Sequence, residues 1–456
     1  MNKQHLIVVC LIALLPLNAA WAAESLADIY ELAKQKDPRI RAADAQRLGI
    51  YERKPQARAG VLPQIGLGGS YFDGDVDRKR GLAGEGGYTR SGYGLELRQT
   101  LFNKDQFTQL NQADIAILQA DLNYQNAEQD LIVRTARLYF EVLAAQDNLT
   151  FARSEKKAIE QQLFQTKQRF EVGLTAITDV HESQARYDQS VAQEIAAENQ
   201  LSIAIENLRE ITGQYHESLA PLTDRMPLVP PNPDDIDTWV KMAMDQNLAL
   251  LSQEQATELA RENVTRRKSG HYPVLDLVAK HSYSDFAGDD PNAFTENESI
   301  DNSVGVELTV PIYQGGGVSA ATREAEYQYQ ESRELLEQRR RETWRQTRSA
   351  YLNVIDGISG VRALKQVLIS NQTALEATKA GFEVGTRTAV DVLNSQRDLY
   401  RAESNYAQVR YGYIVNAFLL YQAAGMLTEE HLHKANEWLG TAAGTPAGPQ
   451  PGERSQ

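Results

Sequence analysis

The chain has 456 residues, a formal net charge of −14 and 24% charged residues. An acidic balance of this size argues against nonspecific nucleic-acid binding and against attachment to an anionic membrane surface, both of which need a basic face. The one cysteine, Cys10, lies in an apolar N-terminal run, so a chain that has lost this run has no thiol, disulfide or cysteine metal site.

Residues 1–22 combine Lys3, an apolar run from Leu6 to Leu17, and small residues Ala20 and Ala22 around Trp21. The pattern predicts a secretory signal peptide cleaved before Ala23, because the run is short for a membrane-spanning anchor and ends in an Ala-x-Ala site. Loss of Lys3 takes the net charge to −15. No later segment reaches about 18 apolar residues, so a mature chain that sits in a membrane must span it as a β-barrel.

From Leu26 to about Ala59 the apolar spacing is helical, with Leu26, Ile29, Tyr30 and Ala33 on one face. Two alternating runs follow, Ile65 to Tyr71 and Tyr93 to Leu101, with Glu96 and Arg98 opposite the apolar positions. They predict a strand pair around a Gly- and charge-rich loop, residues 73–90. From about Asn103 to Phe170 the chain reads as one helix without proline, with Leu131, Thr135, Leu138, Val142 and Leu149 at coiled-coil spacing. About 67 residues at 1.5 Å each give a rod of roughly 100 Å. The returning helix, about Thr178 to Thr212, covers only half of it, and the helix before the first strand can cover the other half.

After the stiff linker Pro227 to Pro233, the order repeats. A helix is predicted over Asp237 to Ser269 and strands over Leu275 to Tyr283 and Val304 to Ile312. A long helix then runs from Val318 to Phe382, and a returning helix from Ala389 to Ala424. A short amphipathic stretch reaches Leu439, and the Gly- and Pro-rich tail 440–456 is expected to be disordered. The repeat is plainest where each long helix turns. Arg169-Phe-Glu-Val-Gly173-Leu-Thr-Ala-Ile-Thr178-Asp179-Val matches Gly381-Phe382-Glu-Val-Gly385-Thr-Arg387-Thr-Ala-Val-Asp391-Val at an offset of 212. Gly173 and Gly385 suit left-handed positions at helix ends, so each copy is the tip of an antiparallel helical hairpin, near 171–178 and 383–390. The expected organisation is a signal peptide (1–22), a first repeat (23–226), a linker (227–233), a second repeat (234–439) and a tail. Alternating strands of this kind fit a soluble sandwich or a membrane barrel. Four strands cannot close a barrel, and open edges are not tolerated in lipid, so the membrane reading requires oligomerisation.

These tip sequences, with Val310-Pro-Ile-Tyr-Gln-Gly-Gly316, resemble the TolC family of Gram-negative outer-membrane efflux and secretion ducts. The resemblance covers the mature chain except its tail. It implies a mainly α protein with a transmembrane β-barrel: a homotrimer whose chains each give four strands to one twelve-stranded barrel in outer-membrane lipid. Long helical hairpins would continue the barrel as a periplasmic tunnel. It implies partners too, a periplasmic adaptor protein and an inner-membrane ABC or proton-driven transporter, with small toxic compounds or secreted proteins as cargo. Carried over by position, Thr178, Asp179, Phe382 and Arg387 would form the latch that closes the tip. Asp391 would form a ring of three carboxylates there, a cation-binding constriction, with Asn394 beside it. The family's best-known member has a Tyr at the position of Phe382 and an Asp at that of Asn394, so this chain would have a latch short of one hydroxyl and a single acidic ring. Gly173 and Gly385 would mark the turns that dock the adaptor.

Simpler readings stand beside these. Asp179 and Asp391 fall in first helical turns, where an acid is favoured whatever the function. Gly315 to Gly317 lacks the Lys-Ser or Lys-Thr of a phosphate loop, His431-x-His433 lacks a third metal ligand and reads as solvent-facing, and Arg339 to Arg341 reads as a solvated face. Trp344 reads as a packing residue. No enzyme, cofactor or metal site is expected. The rival is a periplasmic adaptor or structural coiled-coil protein, although adaptors carry one hairpin and this chain has two, each preceded by a strand pair.

Overall fold

The computed structural model describes residues 23–76, 86–216, 218–288 and 297–440. The expected signal peptide 1–22 lies outside the described residues, as does the expected disordered tail beyond Gly440. The chain opens with α1 (Leu26–Lys36), α2 (Pro38–Tyr51) and α3 (Arg53–Ala59), then β1 (Gln64–Val76) and β2 (Gly86–Phe102). Next come α4 (Lys104–Glu171) and α5 (Ile177–Thr212). The second half gives α6 (Ile236–Gln246), α7 (Leu248–Lys268), β3 (Val274–Gly288), β4 (Asn297–Thr309), α8 (Gly317–Glu383) and α9 (Ala389–Ala423), and α10 (Glu429–Asn436) ends it. Among the described residues no helix is long and apolar enough to cross a membrane.

The helix read from Leu26 to Ala59 is broken twice. Asp37 caps α2 by accepting from the Arg39 amide at 3.0 Å, and Pro38 takes the first helical position, where its missing N–H costs nothing. The helix read from Asp237 to Ser269 breaks at the equivalent point, where Asn247 caps α7 by accepting from the Leu250 amide at 2.9 Å. Apolar periodicity continues across both breaks, which is why it conceals them. The long helices are unbroken, α4 with 68 residues and α8 with 67, or about 100 Å each at 1.5 Å per residue. Along α4, α2 and α3 pack toward the sheet end and α5 packs toward the far end. Along α8 the same places are taken by α7 and α9, and α4 also contacts α7 and α9, which joins the two halves.

The strands form one antiparallel sheet in the order β1-β2-β3-β4. The two strand pairs meet through β2 and β3, with Leu97 opposite Ala279 and Leu95 opposite His281. β1, β2 and β3 extend further than their apolar alternation, so part of the region read as loop 73–90 is paired strand. Conversely, β4 stops at Thr309, so Val310 and Ile312 fall beyond it, and Ile312 is 94% exposed. On one face Ile65, Leu67, Tyr71, Val304, Val306 and Leu308 are between 62% and 79% exposed. On the other, Arg98 Nη1 donates to Asp276 Oδ2 and Glu307 Oε2, both at 3.1 Å. The outer edges of β1 and β4 have no partner among the described residues.

The core lies midway along the rods. Leu26, Ile29 and Tyr30 of α1 meet Tyr139, Phe140 and Leu143 of α4, Leu208 and Ile211 of α5, and Ile414 and Phe418 of α9. Tyr139 donates its hydroxyl to the Ala220 carbonyl at 2.8 Å, tying the segment after α5 to α4. The linker is held too: Trp239 Nε1 donates to the Pro233 carbonyl at 2.8 Å, and the Tyr413 hydroxyl donates to the Val229 carbonyl at 3.2 Å.

Two packing expectations change. Trp344 is 49% exposed on this chain, with the Arg348 guanidinium 4.9 Å from its ring centroid. His431 is half-buried rather than solvent-facing, its ring 4.1 Å from that of Tyr421, and burial holds it below the usual imidazole range. Among the described residues no group of three or more His, Cys, Asp or Glu could hold a metal ion.

Candidate gate at the helix tips

Both hairpins turn by the same backbone device. At the end of α4, Gly173 takes φ 74°, its N–H bonds the Phe170 carbonyl at 2.9 Å, and the Leu174 N–H bonds the Arg169 carbonyl at 2.8 Å. At the end of α8, Gly385 takes φ 78°, its N–H bonds the Phe382 carbonyl at 3.1 Å, and the Thr386 N–H bonds the Gly381 carbonyl at 2.8 Å. These are paired Schellman caps, which need a residue free to adopt the left-handed region.

The helices leaving the tips start differently. α9 opens on a capping box: Asp391 Oδ2 accepts from the Thr388 amide at 2.8 Å and from its hydroxyl at 2.9 Å, while Thr388 Oγ1 accepts from the Asp391 amide at 3.2 Å. The Thr388 amide, the Thr388 hydroxyl and then the nearby Arg387 charge hold Asp391 below the usual carboxylate range. α5 has no side-chain cap from Ala176, and Asp179 accepts instead from the Thr175 hydroxyl.

Within one chain the structure does not bring the sequence-predicted latch together. Among the described residues, no ion pair or hydrogen bond joins Arg387 to Thr178 or Asp179. Arg387 and Thr178 are both exposed. Arg387 lies back against α8, where a Cβ on Gly381 would stand 2.8 Å from its Cγ. Asn394 is half-buried and lines a cleft of about 130 Å³ between the hairpins, together with Glu155, Arg186 and Arg397. Phe382 does have a partner across the hairpins: the Arg169 guanidinium carbon lies 4.7 Å from its ring centroid. Sequence reading passed over Arg169, although the aligned tips show Arg before Phe in one copy and Gly before Phe in the other.

Further up the rods the hairpins are joined by polar contacts. The Tyr411 hydroxyl donates to Asp147 Oδ2 at 2.6 Å, and the Ser404 hydroxyl donates to Asn148 Oδ1 at 2.8 Å. Burial pushes Asp147 above the usual carboxylate range against the opposing Tyr411 hydrogen bond, and burial pushes Glu155 up against the nearby Arg397 and Arg401.

The family model of outer membrane efflux proteins matches this chain twice, over residues 29–214 and 239–426, once in each half. The chain belongs to that family. Outer membrane protein TolC of Vibrio cholerae serotype O1 is 40% identical over 425 residues, which are 93% of this chain and 96% of the relative. The alkaline protease secretion protein AprF of Pseudomonas aeruginosa is 30% identical over 417 residues, 90% of this chain and 86% of the relative. Among solved structures, the Campylobacter jejuni CmeC outer membrane channel superposes with a TM-score of 0.75 at 14% identity, over 91% of this chain and 90% of that one. The fold is thus that of outer-membrane channels, and the chain is an outer-membrane exit duct for efflux or secretion rather than an adaptor.

Proposed function

We propose that three copies of the chain assemble into one duct, with twelve strands closing a barrel in the outer membrane and the paired hairpins closing a tunnel toward the inner membrane. One observation carries this reading. A four-stranded sheet with an exposed apolar face and two edges unpartnered among the described residues continues directly into rods of about 100 Å. Lipid tolerates no open edge, so the sheet must be completed by other copies, and three make a barrel of ordinary size.

The duct performs no chemistry, and its energy comes from a partner. A periplasmic adaptor engages the tips at Gly173 and Gly385 and links the duct to an inner-membrane ABC or proton-driven transporter. Small toxic compounds, secreted proteins or both pass outward, as the names of the relatives support. Asp179 and Thr178 of one subunit meet Arg387 of the next, a reading supported by the lack of any bond between them among the described residues of one chain and by the exposure of Arg387 and Thr178. The three Asp391 carboxylates face the constriction, where like charges repel unless a cation sits among them.

The test is single-channel conductance of the detergent-extracted protein in a planar bilayer, beside Asp391→Ala and Asp391→Asn. Small, steady, cation-selective currents that a trivalent cation blocks only when Asp391 is present are expected. A protein that stays soluble without detergent and forms no channels would overturn the reading.

A further inference from the structure

We infer that Arg169 is a gating residue, and that its guanidinium, stacked on the Phe382 ring, is a contact that holds the tip of the second hairpin against the tip of the first within each subunit. This rests on the reading of the tips as the gate. The two residues belong to different hairpins, Arg169 to the last turn of α4 and Phe382 to the last turn of α8. A tip that opens by parting the hairpins must separate them. The guanidinium carbon lies 4.7 Å from the ring centroid, inside the range of about 6 Å at which a cation is drawn to an aromatic face. Among the described residues no carboxylate forms an ion pair with Arg169, so the ring is the partner its charge has.

The contact also answers a difficulty in the sequence. A Phe has no hydroxyl with which to join a polar latch, and Asp179 is engaged by Thr175 in the turn that precedes its own helix. A cation over a π face needs no hydroxyl. A local role for Arg169 is also available, because a base in the last turn of a helix favours its C-terminal carbonyls. The Schellman cap already satisfies the Arg169 carbonyl, however, and a purely local role would not depend on what stands at position 382.

An exposed cation–π contact shifts an equilibrium by about two- to fivefold. If three subunits part together, the factors multiply to roughly tenfold or more in the fraction of open channel. The experiment is single-channel conductance of the full assembly for Arg169→Gln, Arg169→Lys, Phe382→Leu, Phe382→Tyr and the double R169Q/F382L, with Arg387→Gln as the control for the gate. The oligomeric state of each variant in detergent is checked first.

Arg169→Gln and Phe382→Leu should each raise conductance or open-state occupancy, with the double variant no more open than either single. Phe382→Tyr should remain closed and Arg169→Lys should fall between. If Arg387→Gln opens the channel while the Arg169 and Phe382 variants do not, or if the Leu and Tyr variants behave alike, the inference fails and the gate stands elsewhere at the tip. If no variant, Arg387→Gln included, changes the current, the tip is not the gate and both readings fall.

Discussion

Asp37 and Arg134 form a buried ion pair, their side chains 2% and 8% exposed, at the kink between α1 and α2 where the N-terminal helix is fastened to α4. Asp37→Ala would leave a buried guanidinium with only Asp130, 58% exposed and 3.6 Å from Nε, as counter-charge, a loss of about 3 kcal/mol, at the low end for a broken buried pair, because desolvation has been suffered and most of the attraction is gone. It also removes the cap of α2, about 1 kcal/mol more. Arg134→Met leaves a buried carboxylate and costs about 3–5 kcal/mol. The double variant leaves neither charge, so it should be more stable than either single and fall short of the parent by little more than the lost cap.

An outer-membrane oligomer does not unfold reversibly, so the assay is hydrogen exchange at the amides of α1 and α2 in the native assembly. A local loss of about 3 kcal/mol speeds exchange roughly a hundredfold. Singles that exchange like the parent, or a double that exchanges faster than both singles, would refute the argument that the two charges are there for each other.

Asn394→Asp should allow a trivalent cation to block at several-fold lower concentration, by adding a second acidic ring near the first; if the new carboxylate is taken by Arg397 in the same cleft, block is unchanged and the reading of position 394 fails. Asp147 is held high by burial, so its folded value lies above its unfolded one and its ionised form is a burden at neutral pH. Stability from this group rises as pH falls into the window between them. Asp147→Asn, which can still accept from Tyr411, should therefore raise the melting temperature of the assembly at neutral pH and lose that advantage in mild acid. Glu429 runs the opposite way: the Lys34 ammonium, then the Tyr30 hydroxyl, hold it low, so its contribution is present above the ordinary carboxylate range and lost as pH falls through its folded value. An identical pH profile for Glu429→Gln and the parent would contradict this. Gly425 has φ 72° and a Cβ there would stand 2.0 Å from the Gln246 carbonyl oxygen, so Gly425→Ala should cost more than about 4 kcal/mol and leave little assembled protein. Gly213, with φ 75° and nothing within 4 Å, should tolerate Ala at about 1–2 kcal/mol, and equal oligomer yields from the two variants would show that crowding is not the deciding term.

Much of this protein is legible without coordinates, because its signals are local and occur twice. Alternation marked the faces of the four strands, heptad spacing marked the rods, and the Val-Gly steps at 173 and 385 marked the tips. Asp37 and Asn247 carried cap signals in plain view, yet the apolar stripe running past them concealed the breaks. Other features follow from contacts between residues far apart in the chain. The ends of the strands depend on what their neighbours pair with, so residues read as loop became strand and Ile312 fell outside it. Arg169 and Phe382 are each unremarkable in their own helix, and only the packing of one hairpin on the other sets cation against ring. Whether Asp179 meets Arg387 depends on folding too: within one chain Asp179 accepts from Thr175, and no bond joins it to Arg387 among the described residues. Periodicity records which face a residue occupies; only the tertiary structure decides what that face meets.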